Sequence, residues 1–171
     1  MQWHTHAAIG ANAIWLTALF GDASQAPIVY LTIGAFGGLL PDIDAGGGKS
    51  YGAKIHYIGG GIFKPFQNVF RHRGFFHSFM CIVLVFCLST PLAWFIDPFV
   101  PMVLTAGYAS HIVIDNWNCG LEFFYPLKKR VTFVPKWMQF RVGSIGDNLL
   151  FLLGVFGLVA YILTHLPYIA T

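Results

Sequence analysis

Charged residues are scarce in this sequence. Only 10% of its 171 residues are Asp, Glu, Lys or Arg, whereas about a quarter of a soluble globular protein is charged. Hydrophobic residues make up 56% of the chain, and the mean hydropathy is +0.64. The composition argues against a soluble domain and predicts one integral membrane domain over residues 1–171.

Cysteine is also rare, and its placement argues against a dithiol or disulfide motif. The three cysteines, Cys81, Cys87 and Cys119, form no C-x-x-C pair. Cys81 and Cys87 lie in an apolar run, where we expect buried free thiols. The N-terminal residues lack the basic stretch that opens a secretory signal peptide, so no cleaved signal is expected.

Apolar stretches predict an all-α fold, a polytopic membrane bundle of about five transmembrane helices. They cover residues 6–20, 28–40, 79–96, 99–116 and 149–169. The first two are shorter than the ~20 residues of a perpendicular span, so they would be extended by flanking residues or packed inside the bundle. Thr5 is the expected N-cap of the first helix. Glycines at 34, 37 and 38 favour close helix packing, and residues 53–70 are expected to lie along the membrane surface.

The basic residues predict the orientation of these helices. All ten Lys and Arg residues fall in two segments, with five in 42–76 and five in 117–146. Because loops rich in Lys and Arg stay in the cytoplasm, both segments are predicted to be cytoplasmic. The N-terminus is then cytoplasmic and the C-terminus external. The run Lys128-Lys129-Arg130 is typical of an anionic-lipid anchor.

Ionisable side chains concentrate at the predicted cytoplasmic helix ends. His111 and Asp115 are four residues apart, which puts both on one face of a helix. Such a pair is costly in lipid and marks a candidate functional site, although a His–Asp hydrogen bond that caps a packed helix end is the alternative. The same predicted rim receives His6, Asp42, Asp44, His72, His77 and Asp147.

Imidazole and carboxylate groups together are the ligands of Zn²⁺, Mn²⁺ or Fe²⁺. We therefore predict a divalent metal site of one to three ions, with zinc favoured. Its predicted ligands are His6, Asp42, Asp44, His72, His77, His111, Asp115 and Asp147. Such a site polarises a phosphoryl group and lowers the pKa of a bound water.

Three residues are assigned catalytic roles. Arg73 is predicted to bind phosphate, because its guanidinium fork matches two phosphate oxygens. Asp44 and Asp147 are predicted to act as ligand or general base. Structural interpretations stay open: Asp44 could remain solvated, and Asp147 could only cap the last helix through a Ser144-x-x-Asp147 capping box. Asp42 could likewise cap a turn, and His72 could face lipid phosphates.

In this order, the motifs resemble a family of bacterial inner-membrane metal-dependent hydrolases described as LexA-binding and membrane-associated. The resemblance is carried by Thr5-His6, Leu39-Leu40-Pro41-Asp42-Ile43-Asp44, His72-Arg73-Gly74-Phe75-Phe76-His77-Ser78, Gly107-Tyr108 with Ser110-His111 and Asp115, and Gly143-Ser144 with Asp147. More distantly, the series is similar to zinc-dependent phospholipase C, which implies hydrolysis of a lipid phosphoester. Ala45, Phe76 and Asp147 depart from the family pattern, which has His, Thr and Glu there.

These features predict a membrane-bound enzyme that hydrolyses a phosphoester of a phospholipid or isoprenoid phosphate with a metal-activated water. Two other classes stay open: a non-enzymatic membrane protein with a structural or transported metal, and a scaffold for a soluble regulatory partner. Membrane lipids are the expected surroundings, and no nucleic-acid partner is expected. His165, at the predicted outer end, is expected to play no part in the site.

Overall fold

The fold is taken from a computed structural model, which describes residues 1–20, 27–44, 73–118 and 120–169. Within these ranges the regular structure is helical, and one isolated antiparallel β-bridge joins Leu121 and Val131. The predicted all-α class is confirmed for this part of the chain. The predicted surface segment 53–70 and the candidate ligand His72 lie outside the described residues.

The helices occupy the five apolar stretches. In chain order they are α1 (Trp3–Ala11), α2 (Trp15–Phe20), α3 (Pro27–Leu39), α4 (Phe79–Ser89), α5 (Leu92–Phe95), α6 (Val100–Asn118) and α7 (Ile145–Ile169). A 3-10 turn at Asn12–Ile14 joins α1 to α2, and another at Leu40–Asp44 continues α3. α3 packs against both α1 and α6, while α7 packs against α1 and α4 against α6.

Short polar side chains set two of the helix ends. Ser78 caps α4, because its Oγ accepts a hydrogen bond from the Cys81 N–H at 3.2 Å. Asp97 accepts the Phe99 N–H at 2.8 Å and closes the turn before α6. Thr5 is not the N-cap of the first helix, so that prediction is wrong. It lies inside α1, where its hydroxyl donates to the buried Asp147 carboxylate.

Glycine allows α1, α3 and α6 to approach one another closely. A Cβ added at Gly34 would lie 2.5 Å from the Gly10 carbonyl oxygen, and one at Gly107 would overlap the Gly34 carbonyl oxygen. Any larger residue at these contacts would force the backbones apart. Close packing of this kind is the arrangement predicted for the glycines of the second apolar stretch.

One helix in the described part of the chain, α7, is long and apolar enough to cross a membrane, over Ile145–His165. The apolar segment Phe79–Phe95 is shorter. α3 has 13 residues, which is roughly 20 Å of helix against a hydrocarbon core of about 30 Å. α7 meets the length and composition for a crossing, and crossing by each of the five stretches stays a prediction.

The outward faces of the helices are apolar. On α7 the exposed side chains include Leu152, Leu153 and Phe156, as expected for a helix that faces lipid. Cys81 is buried as predicted, but Cys87 is exposed. The prediction of a buried Cys87 is wrong because that side of α4 faces outward together with Leu84 and Leu88.

Candidate metal centre

Six ionisable side chains meet at one end of the bundle, and all six are buried: His6, Asp42, Asp44, His77, His111 and Asp115. We call these six residues the polar cluster. They come from the start of α1, the 3-10 turn after α3, the turn before α4 and the C-terminal half of α6. Residues distant in sequence thus share one site because four helical segments end or begin there.

Asp115 has contacts on both of its carboxylate oxygens. Its Oδ1 lies 2.9 Å from the Met1 amine and 3.4 Å from His6 Nε2. Its Oδ2 accepts a hydrogen bond from Arg73 Nε at 3.2 Å and lies 3.7 Å from His77 Nε2. Asp115 therefore joins the α1 side of the polar cluster to the α4 side.

The His111 ring is held in one tautomer. Its Nδ1 lies 2.7 Å from the Gly38 carbonyl oxygen, and since a carbonyl can only accept, Nδ1 must carry a proton. In the neutral ring, Nε2 then carries a lone pair and no proton. Nε2 lies 3.7 Å from Asp42 Oδ1. Nε2 is buried without a hydrogen-bond partner among the described residues. Metal-binding histidines typically donate their other ring N–H to such an acceptor.

The imidazole rings of His6, His77 and His111 are close neighbours in the polar cluster. His6 and His111 stack with ring centroids 3.7 Å apart, and the centroids of His77 and His111 are 5.2 Å apart. His77 Nδ1 is also 3.8 Å from Asp44 Oδ2. The hydroxyl of Tyr108 donates to the Phe76 carbonyl, which helps to position His77 next along the chain.

The donor atoms of the polar cluster fit a divalent metal. His6, His111 and Asp115 each offer an atom within 4.8 Å of the others, and so do Asp42, His77 and His111. Zinc–nitrogen and zinc–oxygen bonds of about 2 Å place two ligands of one ion within roughly 4 Å, so small side-chain shifts would bring either group to ligating distance. Asp42, Asp44 and Asp115 are buried carboxylates, and buried charges in proteins are typically paired or bound to a metal.

Arg73 lies at the edge of the polar cluster. Its side chain is 26% exposed and its Nε donates to Asp115. The backbone has φ +64°, in the left-handed region that residues other than glycine rarely adopt. A strained residue of this kind persists only where its surroundings hold it, and such residues are common at functional sites.

Asp147 lies outside both groups of donor atoms. Its Oδ1 accepts the Thr5 hydroxyl at 2.8 Å, and its Oδ2 accepts the N–H groups of Gln2 at 3.1 Å and Gly143 at 2.8 Å. The carboxylate thus ties the start of α1 to the start of α7. The predicted capping box is not formed, because Ser144 Oγ is buried without a hydrogen-bond partner among the described residues. The assignment of Asp147 as a metal ligand or general base stays a prediction.

His165 lies near the other end of α7, where its ring stacks on Tyr161 at 4.3 Å and contacts Trp15. It is therefore remote from the polar cluster.

The Gly38 carbonyl, the partner of His111, was not predicted from the sequence. Every residue has a carbonyl, so the one available signal was the run of small residues that permits close approach.

Residues 1–170 match the family model described as YdjM inner membrane protein. The chain belongs to the YdjM inner membrane protein family. This membership supports the predicted inner-membrane location and confirms the inner-membrane part of the predicted resemblance. The number of membrane crossings and the orientation of the termini stay predictions.

Two curated relatives are similar to parts of the chain. The uncharacterized protein YvsG of Bacillus subtilis is 30% identical over 124 residues, which are 72% of this chain and 71% of YvsG. The inner membrane protein YdjM of Escherichia coli is 34% identical over 102 residues, which are 52% of this chain and 49% of that protein. The match thus spans about half the length of the Escherichia coli relative. No solved structure matches the chain significantly.

Proposed function

We propose that this chain is an inner-membrane, metal-dependent hydrolase that cleaves a phosphoester of a phospholipid or isoprenoid phosphate. The observation that carries the proposal is the polar cluster, in which buried histidines and carboxylates converge and His111 presents a bare Nε2. An ion pair that served only packing would not need three imidazoles with clustered donor atoms. Imidazole and carboxylate groups with clustered donor atoms are, in contrast, typical of a zinc site.

Metal binding is the first part of the proposal. When bound, a divalent cation would supply Lewis acidity toward a phosphoryl oxygen and would lower the pKa of a coordinated water. The residues of this chain would hold and orient that ion. Gly38 fixes the His111 ring, and Arg73 holds Asp115 in place through a 3.2 Å hydrogen bond.

The phosphate is proposed to bind at Arg73. Arg73 is a partly exposed cation that contacts the polar cluster through Asp115, so we expect an anionic head group to reach it from outside. A guanidinium offers several N–H donors, which suits the oxygens of a phosphate. Asp44, close to His77 Nδ1, is proposed to accept a proton from the attacking water.

The full burial of His6, His77 and His111 supports a second candidate, in which the metal is structural. Structural zinc sites are closed by protein ligands, whereas catalytic sites keep one position open. The partly exposed side chain of Arg73, next to Asp115, supports the enzyme, because a catalytic site needs a group that can contact both substrate and solvent.

The two candidates are separated by assaying the purified protein in lipid nanodiscs after metal loading. A panel of phospholipids and isoprenoid phosphates is compared with a soluble phosphoester that carries the same leaving group. If the chain is an enzyme, hydrolysis should depend on the metal and should be faster for the lipid phosphoester than for the soluble one. Tight metal retention without hydrolysis of any lipid would favour the structural metal, and a protein that binds no divalent metal would overturn both.

A further inference from the structure

The connection between α6 and α7 exposes apolar side chains. Within residues 120–144 the exposed members are Phe124, Leu127, Phe133, Trp137, Met138 and Val142. Trp137 is 82% exposed and lies on the short 3-10 turn Lys136–Met138. Large apolar side chains grouped on a surface mark a place where another apolar phase or molecule binds.

The exposed charge of the same segment is positive. Its basic residues are all exposed: Lys128, Lys129, Arg130, Lys136 and Arg141. The acidic residue of segment 120–144 is Glu122, which is buried. A surface that mixes basic groups with aromatic and aliphatic side chains is complementary to an anionic membrane interface, where heads are charged and tails are apolar.

This segment is tied to the end of the bundle that holds the polar cluster. Leu121 and Val131 exchange two backbone hydrogen bonds at 3.1 and 2.9 Å. Asn116, next to Asp115, donates to the Val131 carbonyl at 3.0 Å and accepts the Phe133 N–H. The Phe123 carbonyl accepts the N–H of Phe79, the first residue of α4, at 2.9 Å. The loop is therefore held beside the helix ends that carry His77 and Asp115.

We propose that residues 120–144 form an interfacial anchor that binds the head groups of anionic phospholipids, with Trp137 and Leu127 inserted among the acyl chains. Tryptophan is enriched at membrane–water interfaces, and clustered Lys and Arg attract anionic lipid. Aliphatic side chains such as Leu127 and Val142 pack among acyl chains but cannot stack on bases, so lipid accommodates more of this surface than a nucleic acid would. The family's inner-membrane location also places lipid next to this segment. The proposal does not depend on the hydrolase.

The test uses the full chain in nanodiscs whose phosphatidylcholine carries brominated acyl chains, with and without phosphatidylglycerol. Bromine quenches the fluorescence of nearby tryptophans. The difference in quenching between the unchanged chain and Trp137→Phe therefore reports how deeply Trp137 lies in the bilayer. Trp94→Phe is the matched control, because Trp94 is 88% exposed but follows α4 in a segment without Lys or Arg. We expect quenching at Trp137 to increase at least twofold with phosphatidylglycerol and to weaken in high salt, with no change at Trp94.

A charge variant makes the test specific. Replacing Lys128, Lys129 and Arg130 by Gln should remove the phosphatidylglycerol dependence at Trp137, whereas replacing both lysines by Arg should retain it. Circular dichroism and the Trp94 signal check that each variant is folded. Equal quenching at Trp137 in both lipids would overturn the proposal. Binding of polyglutamate or an oligonucleotide to the chain, lost when Lys128, Lys129 and Arg130 are replaced by Gln, together with no lipid quenching at Trp137, would also overturn it, in favour of a soluble polyanionic partner.

Discussion

The carbonyl oxygen of Gly38 lies 2.7 Å from Nδ1 of His111, and this contact orients the imidazole at the centre of the polar cluster. It exists because the glycines of α3 let α1 and α6 approach its backbone closely. The close packing of the helices therefore also sets the orientation of His111, a candidate metal ligand. A substitution that moves α3 away from α6 should therefore change the orientation of the His111 ring, even where the substituted residue does not contact that ring.

Metal content should depend on His111. Because His111 belongs to both groups of donor atoms, His111→Ala should weaken zinc or manganese binding by tenfold or more, as measured by metal analysis and titration. His165→Ala is the matched control, since it removes an imidazole that packs on Tyr161. Equal metal content in the two variants would contradict the ligand assignment.

The reaction rate should depend on the shape of the residue 73 side chain. Arg73→Lys keeps the positive charge but loses the planar fork, so we expect hydrolysis of a lipid phosphoester to slow about tenfold with metal content unchanged. Arg141→Lys, a similar change at an exposed residue, should have no such effect. A rate loss that appears only together with metal loss would mean that Arg73 acts solely by holding Asp115 and does not bind phosphate.

Stability should depend on Asp147. Asp147→Ala removes an acceptor of three hydrogen bonds, and we expect it to lower the free energy of unfolding by about 1–3 kcal/mol. Because these bonds hold α1 near α7, metal affinity should fall while saturating metal restores full occupancy. Thr5→Ala, which removes one of the three donors, should show a smaller effect of the same kind. Loss of metal at saturation with unchanged stability would make Asp147 a ligand, as the sequence predicts.

Close packing at Gly34 should be required for the site. Gly34→Ala places a methyl group against the Gly10 carbonyl, and we expect destabilisation of about 1–3 kcal/mol from overpacking. Metal affinity should fall as well, because α3 carries both Gly38 and the turn with Asp42. Thr32→Ala, on the exposed side of α3, is the control. A Gly34→Ala variant as stable as Thr32→Ala would show that the helices can separate freely.

The orientation in the membrane should follow the basic segments. A topology reporter inserted in 117–146 should report the cytoplasm, and one fused after residue 171 should report the exterior. In this arrangement the end of α6 that carries Asp115 faces the cytoplasm. An external reporter in 117–146 would contradict the predicted orientation and move the proposed site to the opposite face.

The sequence alone determined the helical class, the positions of the apolar segments and the concentration of His and Asp near their ends. These are local properties, since composition and spacing decide whether a segment is apolar and which face of a helix its side chains share. His111 and Asp115 lie four residues apart on one helix, so their spacing is enough to identify them as a pair.

Tertiary structure decided what each polar group contacts. Asp115 and Asp147 look alike in sequence, yet one lies among histidines while the other accepts hydrogen bonds from Thr5, Gln2 and Gly143. The partner of His111 is a backbone carbonyl, a group that every residue has. Which carbonyl and which carboxylate reach a given ring depends on how α1, α3, α6 and α7 pack, and that packing brings together residues up to 145 positions apart.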